Sequence, residues 1–370
     1  MKRILKFIVI FVFLLAVTDV AVCAQDSDFY SNSIESVIDS VDDDTKELLS
    51  DFGLSEYTYD ELYNISFSDI QNLLLSVFKG SLKIPVSCAV SAIGIALVSA
   101  IGSVYITKSG SMAEYFEMIT VVFISLLIFS KIIGCISRTV TSIESLGVFM
   151  KILVPVLAVM ASFSGSPALA VSYNAVTVYT AEVITAVCRD ILTPLLVIFA
   201  CIAVCLSLNS VVKADSVLGM FKKFINMILG LAGTVFTGVV AIKDILSAGA
   251  DKVSVKGIKF LLGSSVPVVG SVLSEGLSSI IASVSLMKNT FGIIGIILII
   301  VLVLPVACEL TVWILFLSFT AYCCEMFGQS RTASVISSLK FTVSMLLSVL
   351  LFTVYILIVS TGMIILIGNK

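Results

Sequence analysis

The sequence contains no histidine. That absence removes imidazole metal ligands, the serine–histidine–aspartate and cysteine–histidine nucleophile systems, and histidine proton relays. Charge is also scarce. Asp, Glu, Lys and Arg make up 13% of residues, against about 25% in an ordinary soluble domain. No phosphate loop, nucleotide motif, clustered cysteine pair or paired catalytic carboxylate is visible, so the chain reads as a non-enzyme that needs no cofactor or metal. There is no basic stripe with interleaved aromatics, which argues against nucleic-acid binding. Proline is limited to six positions, few enough that each one carries information about where helices bend.

What fills the space is apolar. The 370 residues are 59% hydrophobic, with mean hydropathy +1.15. That surplus has to face lipid, and a helix crosses a bilayer with about 20 apolar residues. The expected fold is all-α, a polytopic helical membrane protein with about seven spans near 85–107, 118–137, 152–171, 191–212, 224–242, 291–312 and 341–367. Segments 172–189, 243–288 and 310–327 are ambiguous and widen the range to six to ten. Lys and Arg are spread too evenly over the connections to set the orientation. Of the nine cysteines, all but Cys23 lie in or beside apolar segments and read as small packing residues.

The front of the chain differs from the rest. Met1-Lys2-Arg3 and Lys6 precede an apolar core from Ile8 to Val17, and Val22-Cys23-Ala24 places small residues at a cleavage site. Residues 1–24 read as a signal peptide cut after Ala24. Export of that leader puts residues 25–83 on the extracytoplasmic side. Thirteen of the 25 acidic residues fall between Asp26 and Asp69, with helical apolar spacing at Ile34, Val37, Ile38 and Val41 and again at Ile70, Leu73, Leu74, Val77 and Phe78. This is an acidic helical segment, suited either to docking or to spacing. Residues 84–370 form the polytopic domain.

Within that domain Val154-Pro155-Val156 recurs as Val266-Pro267-Val268, Pro194 and Pro305 follow at similar intervals, and Lys223-Phe224 recurs as Lys340-Phe341. The pattern reads as a duplication of about 149–243 and 259–367, an arrangement transporter folds use with broken helices at their centre. Pro155, Gly165, Pro167, Pro194, Pro267 and Pro305 are the expected helix breaks. Lys131, Glu182, Arg189, Asp190 and Glu309 are the charged candidates, because a charge among apolar spans needs a partner or a polar interior. Arg189 and Asp190 can pair with each other, whereas Glu309 is flanked by apolar residues for several turns. Gly230, Gly233 and Gly238 form a small-residue stripe suited to close helix packing and to self-association.

Two runs resemble a known family. Val154-Pro155-Val156-Leu157-Ala158 through Ser164-Gly165-Ser166-Pro167 is one. Ser285-Leu286-Met287-Lys288-Asn289-Thr290-Phe291-Gly292-Ile293-Ile294-Gly295, leading into the helix with Pro305, is the other. Together with the leader and the acidic exported segment they are similar to the stage III sporulation protein AE family of endospore-forming bacteria. The resemblance implies an integral protein of the mother-cell membrane around the forespore. It also implies membership of a channel or feeding-tube complex required for forespore development, with ring-forming subunits and a separate cytoplasmic ATPase from the same operon and a partner in the forespore membrane. It supplies no catalytic residues. The competing reading is a self-sufficient secondary transporter that couples ions through Glu182 or Glu309.

Overall fold

The computed structural model describes residues 67–105, 110–164, 179–180, 182–207, 214–247 and 270–366. The elements among them are all helical: α1, Phe67–Tyr105; α2, Gly110–Phe163; α3, Thr193–Ser207, entered through a π-helical turn Val187–Leu192; α4, Ala214–Ser247; α5, Gly270–Met326; and α6, Ser330–Leu366. Six stretches on these helices are long and apolar enough to cross a membrane: Leu75–Ser103, Tyr115–Phe163, Glu182–Leu206, Ser216–Gly238, Ile281–Met326 and Ser330–Ile365. The chain is therefore an all-α polytopic membrane protein.

Among the described residues, 118–137 and most of 152–171 lie on one helix rather than on two separate spans. The link between them, 138–151, looks polar by composition, yet it holds no proline and a single glycine, Gly147. Nothing in it stops helical hydrogen bonding, and α2 runs straight through for 54 residues. The same continuity joins 291–312 to 310–327 in the 57-residue α5, and joins the amphipathic stretch 68–79 to the first span in α1. Internal Pro85, Pro155 and Pro305 are accommodated within α1, α2 and α5. At 1.5 Å per residue, α2 and α5 are each about 80 Å long, more than twice the hydrocarbon thickness of a bilayer.

The turn between α5 and α6 has a plain local cause. Gly328 sits at φ +77°, a conformation that costs glycine little. Its N–H bonds Glu325 O at 3.0 Å and the N–H of Gln329 bonds Cys324 O at 2.9 Å. These are the two bonds of a Schellman C-cap. They reverse the chain so that α5 and α6 pack antiparallel, the most extensive pairing in the bundle. The Gln329 side chain then donates to Ser99 Oγ on α1 at 3.0 Å, tying α1 to the same end.

α2 packs on both α5 and α6, α1 on α5 and α2, and α3 on α6; α4 lies at the edge against α3 and α6. One continuous core links these helices, including Ile128, Ile132, Phe149, Leu157, Leu298, Trp313, Leu346 and Leu357. Outward residues such as Phe123, Leu126, Val98 and Phe319 are uncovered by protein, as side chains that face lipid are. α4 is the least covered element, with 11% of its apolar window buried.

Close approach of helices is set by glycines on α5. A β-carbon at Gly295 would lie 2.6 Å from Leu153 Cδ2, and one at Gly292 would collide with Ile365 Cγ1 and Cδ1. Isoleucine is stiff at χ1, so the second clash is the harder to relieve. On the α4 stripe only Gly233 meets a neighbour, Phe352 Cε2 at 3.3 Å, while Gly230 and Gly238 face open space. Gly292→Ala is therefore expected to destabilise the detergent-solubilised protein by about 1–3 kcal/mol through overpacking. Gly230→Ala should be neutral or slightly stabilising through helix propensity. Thermal unfolding followed by circular dichroism separates the two.

Candidate functional site

The antiparallel register of α2 and α5 brings opposite charges together well inside both helices. Arg138 on α2 faces Glu309 on α5. Its Nε–H donates to Glu309 Oε2 at 2.8 Å, and its Nη2 donates to Oε1. This fork-on-carboxylate pairing fixes orientation as well as charge. Cys135, one turn earlier, donates its thiol to Glu309 Oε1 at 3.6 Å and accepts from Arg138 Nη2 at 3.8 Å. The Glu309 side chain is 16% exposed and that of Arg138 50%, so the guanidinium caps the carboxylate from the outer side.

Two further pairs join α2 to the segment leading into α3. Lys151 Nζ lies 3.0 Å from Glu182 Oε1. Arg189 Nη1 lies 3.4 Å from Glu144 Oε1, while its Nε lies 2.7 Å from Asp190 Oδ1. Glu144 and Lys151 are seven residues apart and share a helix face, whereas Arg138 lies about 120° around the helix. α2 thus meets α5 with one charge and the α3 segment with two others. At the Gly328 end a fourth pair joins Glu117 on α2 to Arg331 on α6: the Arg331 backbone N–H donates to Glu117 Oε1 at 3.0 Å and its Nε lies 3.8 Å from Oε2.

The π-helical turn explains how Arg189 and Asp190 reach this belt. Pro194 has no N–H, so the carbonyl of Asp190 loses its α-helical donor. The chain widens instead: Thr193 N–H bonds Cys188 O, five residues back, and Thr193 Oγ1 donates to the same carbonyl at 2.9 Å. Such π-bulges displace side chains from helical register. Cys188 Sγ then lies 3.8 Å from Thr353 Oγ1 on α6.

Of the charged residues singled out in the sequence, Glu309, Glu182, Arg189 and Asp190 each meet an opposite charge. Lys131 is exposed on α2 with no acidic partner among the described residues. Pro155, Pro194 and Pro305 lie on α2, α3 and α5. α2 ends at Phe163, and Ser164 closes it through Ser164 N–H and Oγ to Met160 O at 2.9 and 2.8 Å. Gly165, Pro167, Pro267 and the cleavage site after Ala24 lie outside the described residues. Composition windows missed Arg138, Glu144 and Lys151, because those residues fell in the presumed link. The signal for them was the missing helix breaker. Lys288, at the end of the ambiguous stretch 243–288, is fully buried within α5.

The fold and the ion-pair belt define a class: a polytopic helical bundle in which Glu117, Glu144, Glu182, Asp190 and Glu309 are each matched by a cation, with no cluster of metal-binding side chains among the described residues. Residues 45–368 match the family described as Stage III sporulation protein AE. The chain belongs to that family of sporulation proteins. A relative is the stage III sporulation protein AE of Bacillus subtilis (strain 168), 22% identical over 161 residues, which are 44% of this chain and 40% of that protein. No solved structure matches.

The Arg138–Glu309 pair has a direct test. Removing one partner of a buried pair costs about 3–5 kcal/mol; the half-exposed guanidinium reduces this to about 1–3 kcal/mol. Arg138→Glu and Glu309→Arg should each lower the unfolding midpoint in detergent, and the charge-swapped double variant should recover most of the loss. Additive losses would mean that the two side chains do not interact.

Proposed function

We propose that this chain is the membrane-embedded subunit of a channel-like complex joining mother cell and forespore, and that forespore development depends on it. Family membership supports the sporulation role. The observation that favours a structural conduit subunit over an ion-coupled transporter is the state of the carboxylates. Glu309 is clasped by Arg138 and Glu182 is paired with Lys151. Each carboxylate is engaged by a side chain of a neighbouring segment, a helix-to-helix contact that leaves it committed to holding the bundle together rather than open to a passing ion.

On this reading the protein sits in the outer forespore membrane with its N-terminal segment extracytoplasmic. It works without catalysis and without a cofactor. Its partners are ring-forming subunits and a separate cytoplasmic ATPase of the same operon, together with a forespore-membrane protein; a second copy of the chain is a further candidate. The long helices suit such a role, because about 80 Å of bundle reaches beyond a 30 Å hydrocarbon layer and offers surface to neighbours outside it.

Deleting the chain in its sporulating host should arrest forespores after engulfment. Glu309→Gln, which keeps a hydrogen-bond acceptor for Arg138, should restore heat-resistant spores to within a few-fold of the wild-type count. Vesicles containing only the purified protein should show no uptake of a defined small solute. Uptake by the protein alone, abolished by Glu309→Gln or Glu182→Gln, would establish the transporter reading instead.

A further inference from the structure

Three lysines stand at, or next in sequence to, the contact of α4 with α6. Lys222 places its Nζ 4.8 Å from the centroid of the Phe341 ring. Lys223 follows it in sequence, and Lys340 immediately precedes Phe341. Beneath them lies a small apolar cluster of its own, with Phe199, Ala203 and Leu218 buried and Phe221 and Phe341 packed against them. The Phe199 ring is 5.1 Å from Phe341 and 6.4 Å from Phe221, centroid to centroid. This aromatic floor fixes where the lysines stand. None of the three has an acidic partner among the described residues. Three like charges on adjoining helices repel one another, and an anion between them relieves that repulsion.

The face of α4 that starts beside these lysines shows what kind of anion fits. Phe224, Met227, Leu231 and Val235 are all exposed. They recur at spacings of three and four residues, so they line one side of the helix. Lys223 borders that stripe, while Lys222 turns away from it toward Phe341. From Phe224 to Val235 the stripe runs about 16 Å, which is close to half of a 30 Å hydrocarbon core. A cationic patch at the head of an apolar track one leaflet deep matches a phospholipid: a phosphate at the top and acyl chains below it.

We propose that the edge of α4 at its contact with α6 seats an anionic phospholipid, with its headgroup phosphate on Lys223, which borders the stripe, with Lys222 and Lys340 adding positive charge from the α6 side at the same level, and with its acyl chains along Phe224, Met227, Leu231 and Val235. Basic recesses between membrane helices are known to hold such headgroups. The sparse packing of α4 follows from the same picture, because lipid covers the face that protein leaves bare. The bound lipid covers the outer face of α4 and reaches α6 only through its headgroup.

The test uses the full-length protein in detergent, with binding read by native mass spectrometry. The probes are phosphatidylglycerol, cardiolipin, phosphatidylcholine with the same acyl chains, and inorganic phosphate. Phosphatidylglycerol or cardiolipin should bind well above phosphatidylcholine. The triple variant Lys222→Gln, Lys223→Gln, Lys340→Gln should weaken that binding by about a hundredfold, at roughly a factor of five for each lysine. Phe224→Ser with Leu231→Ser should weaken lipid binding and leave competition by inorganic phosphate unchanged. If the triple variant does not fold, as judged by helical circular dichroism, Lys223→Gln alone carries the test with about a fivefold loss, since that side chain is exposed. Equal binding of phosphatidylcholine and phosphatidylglycerol, wild-type binding by the lysine variants, or displacement of the lipid by inorganic phosphate at matched concentration would each overturn the proposal.

Discussion

A carboxylate well inside a 57-residue apolar helix has to find a cation, and the Arg138–Glu309 pair is where this bundle meets that requirement. Taking either charge from water alone is costly; taking both, matched by a fork of two hydrogen bonds, is tolerated. The consequence is register. α2 and α5 are apolar along most of their length, and apolar ridges pack against one another with many near-equivalent offsets. A slide of one turn separates Arg138 from Glu309 by about 5 Å. The pair selects one offset among many, and Gly295 against Leu153 is the close contact that this offset permits; Gly292 against Ile365 is the close contact of α5 with α6.

The other pairs extend the same logic outward. Glu144 and Lys151 fix the π-helical entry to α3 against α2, and Glu117 fixes the start of α6 against the start of α2. The three inner helices α2, α5 and α6 are thus joined by charge as well as by packing. α4 is different: it touches the bundle through Phe221, Lys222, Ile225, Gly233 and Phe236 and leaves an apolar face to its surroundings. This chain therefore has a charge-registered centre and a lightly held edge.

Much of this was legible in the residues. Hydropathy alone located each of the six membrane-capable helices, since runs such as Ile293–Val303 admit no aqueous solution. Glu309 stood out for the same reason that it is paired: nothing near it in sequence is polar enough to hold it. Its partner was not legible, because Arg138 is 171 residues away and tertiary register brings the two together. The continuity of α2 was missed for a narrower reason. Windowed composition reads Arg138, Glu144 and Lys151 as a loop, whereas the backbone responds to breakers, and 138–151 contains no proline. In the opposite direction, Pro194 marked a departure from α-helical bonding just ahead of α3, and the π-helical turn is its form. The glycine stripe on α4 promised close packing along its length, but only Gly233 meets a neighbouring helix.

The central claim is that α2 carries its charges through the bundle as one uninterrupted helix. A distance between two spin labels tests it most directly. In a chain whose nine native cysteines are replaced, labels at Ile119→Cys and Val159→Cys would sit on exposed positions of α2. Double electron–electron resonance in detergent should then give a single distribution near 60 Å, the rise of forty helical residues. A distribution centred at about 20–30 Å, as two spans folded back at 138–151 would give, would contradict it.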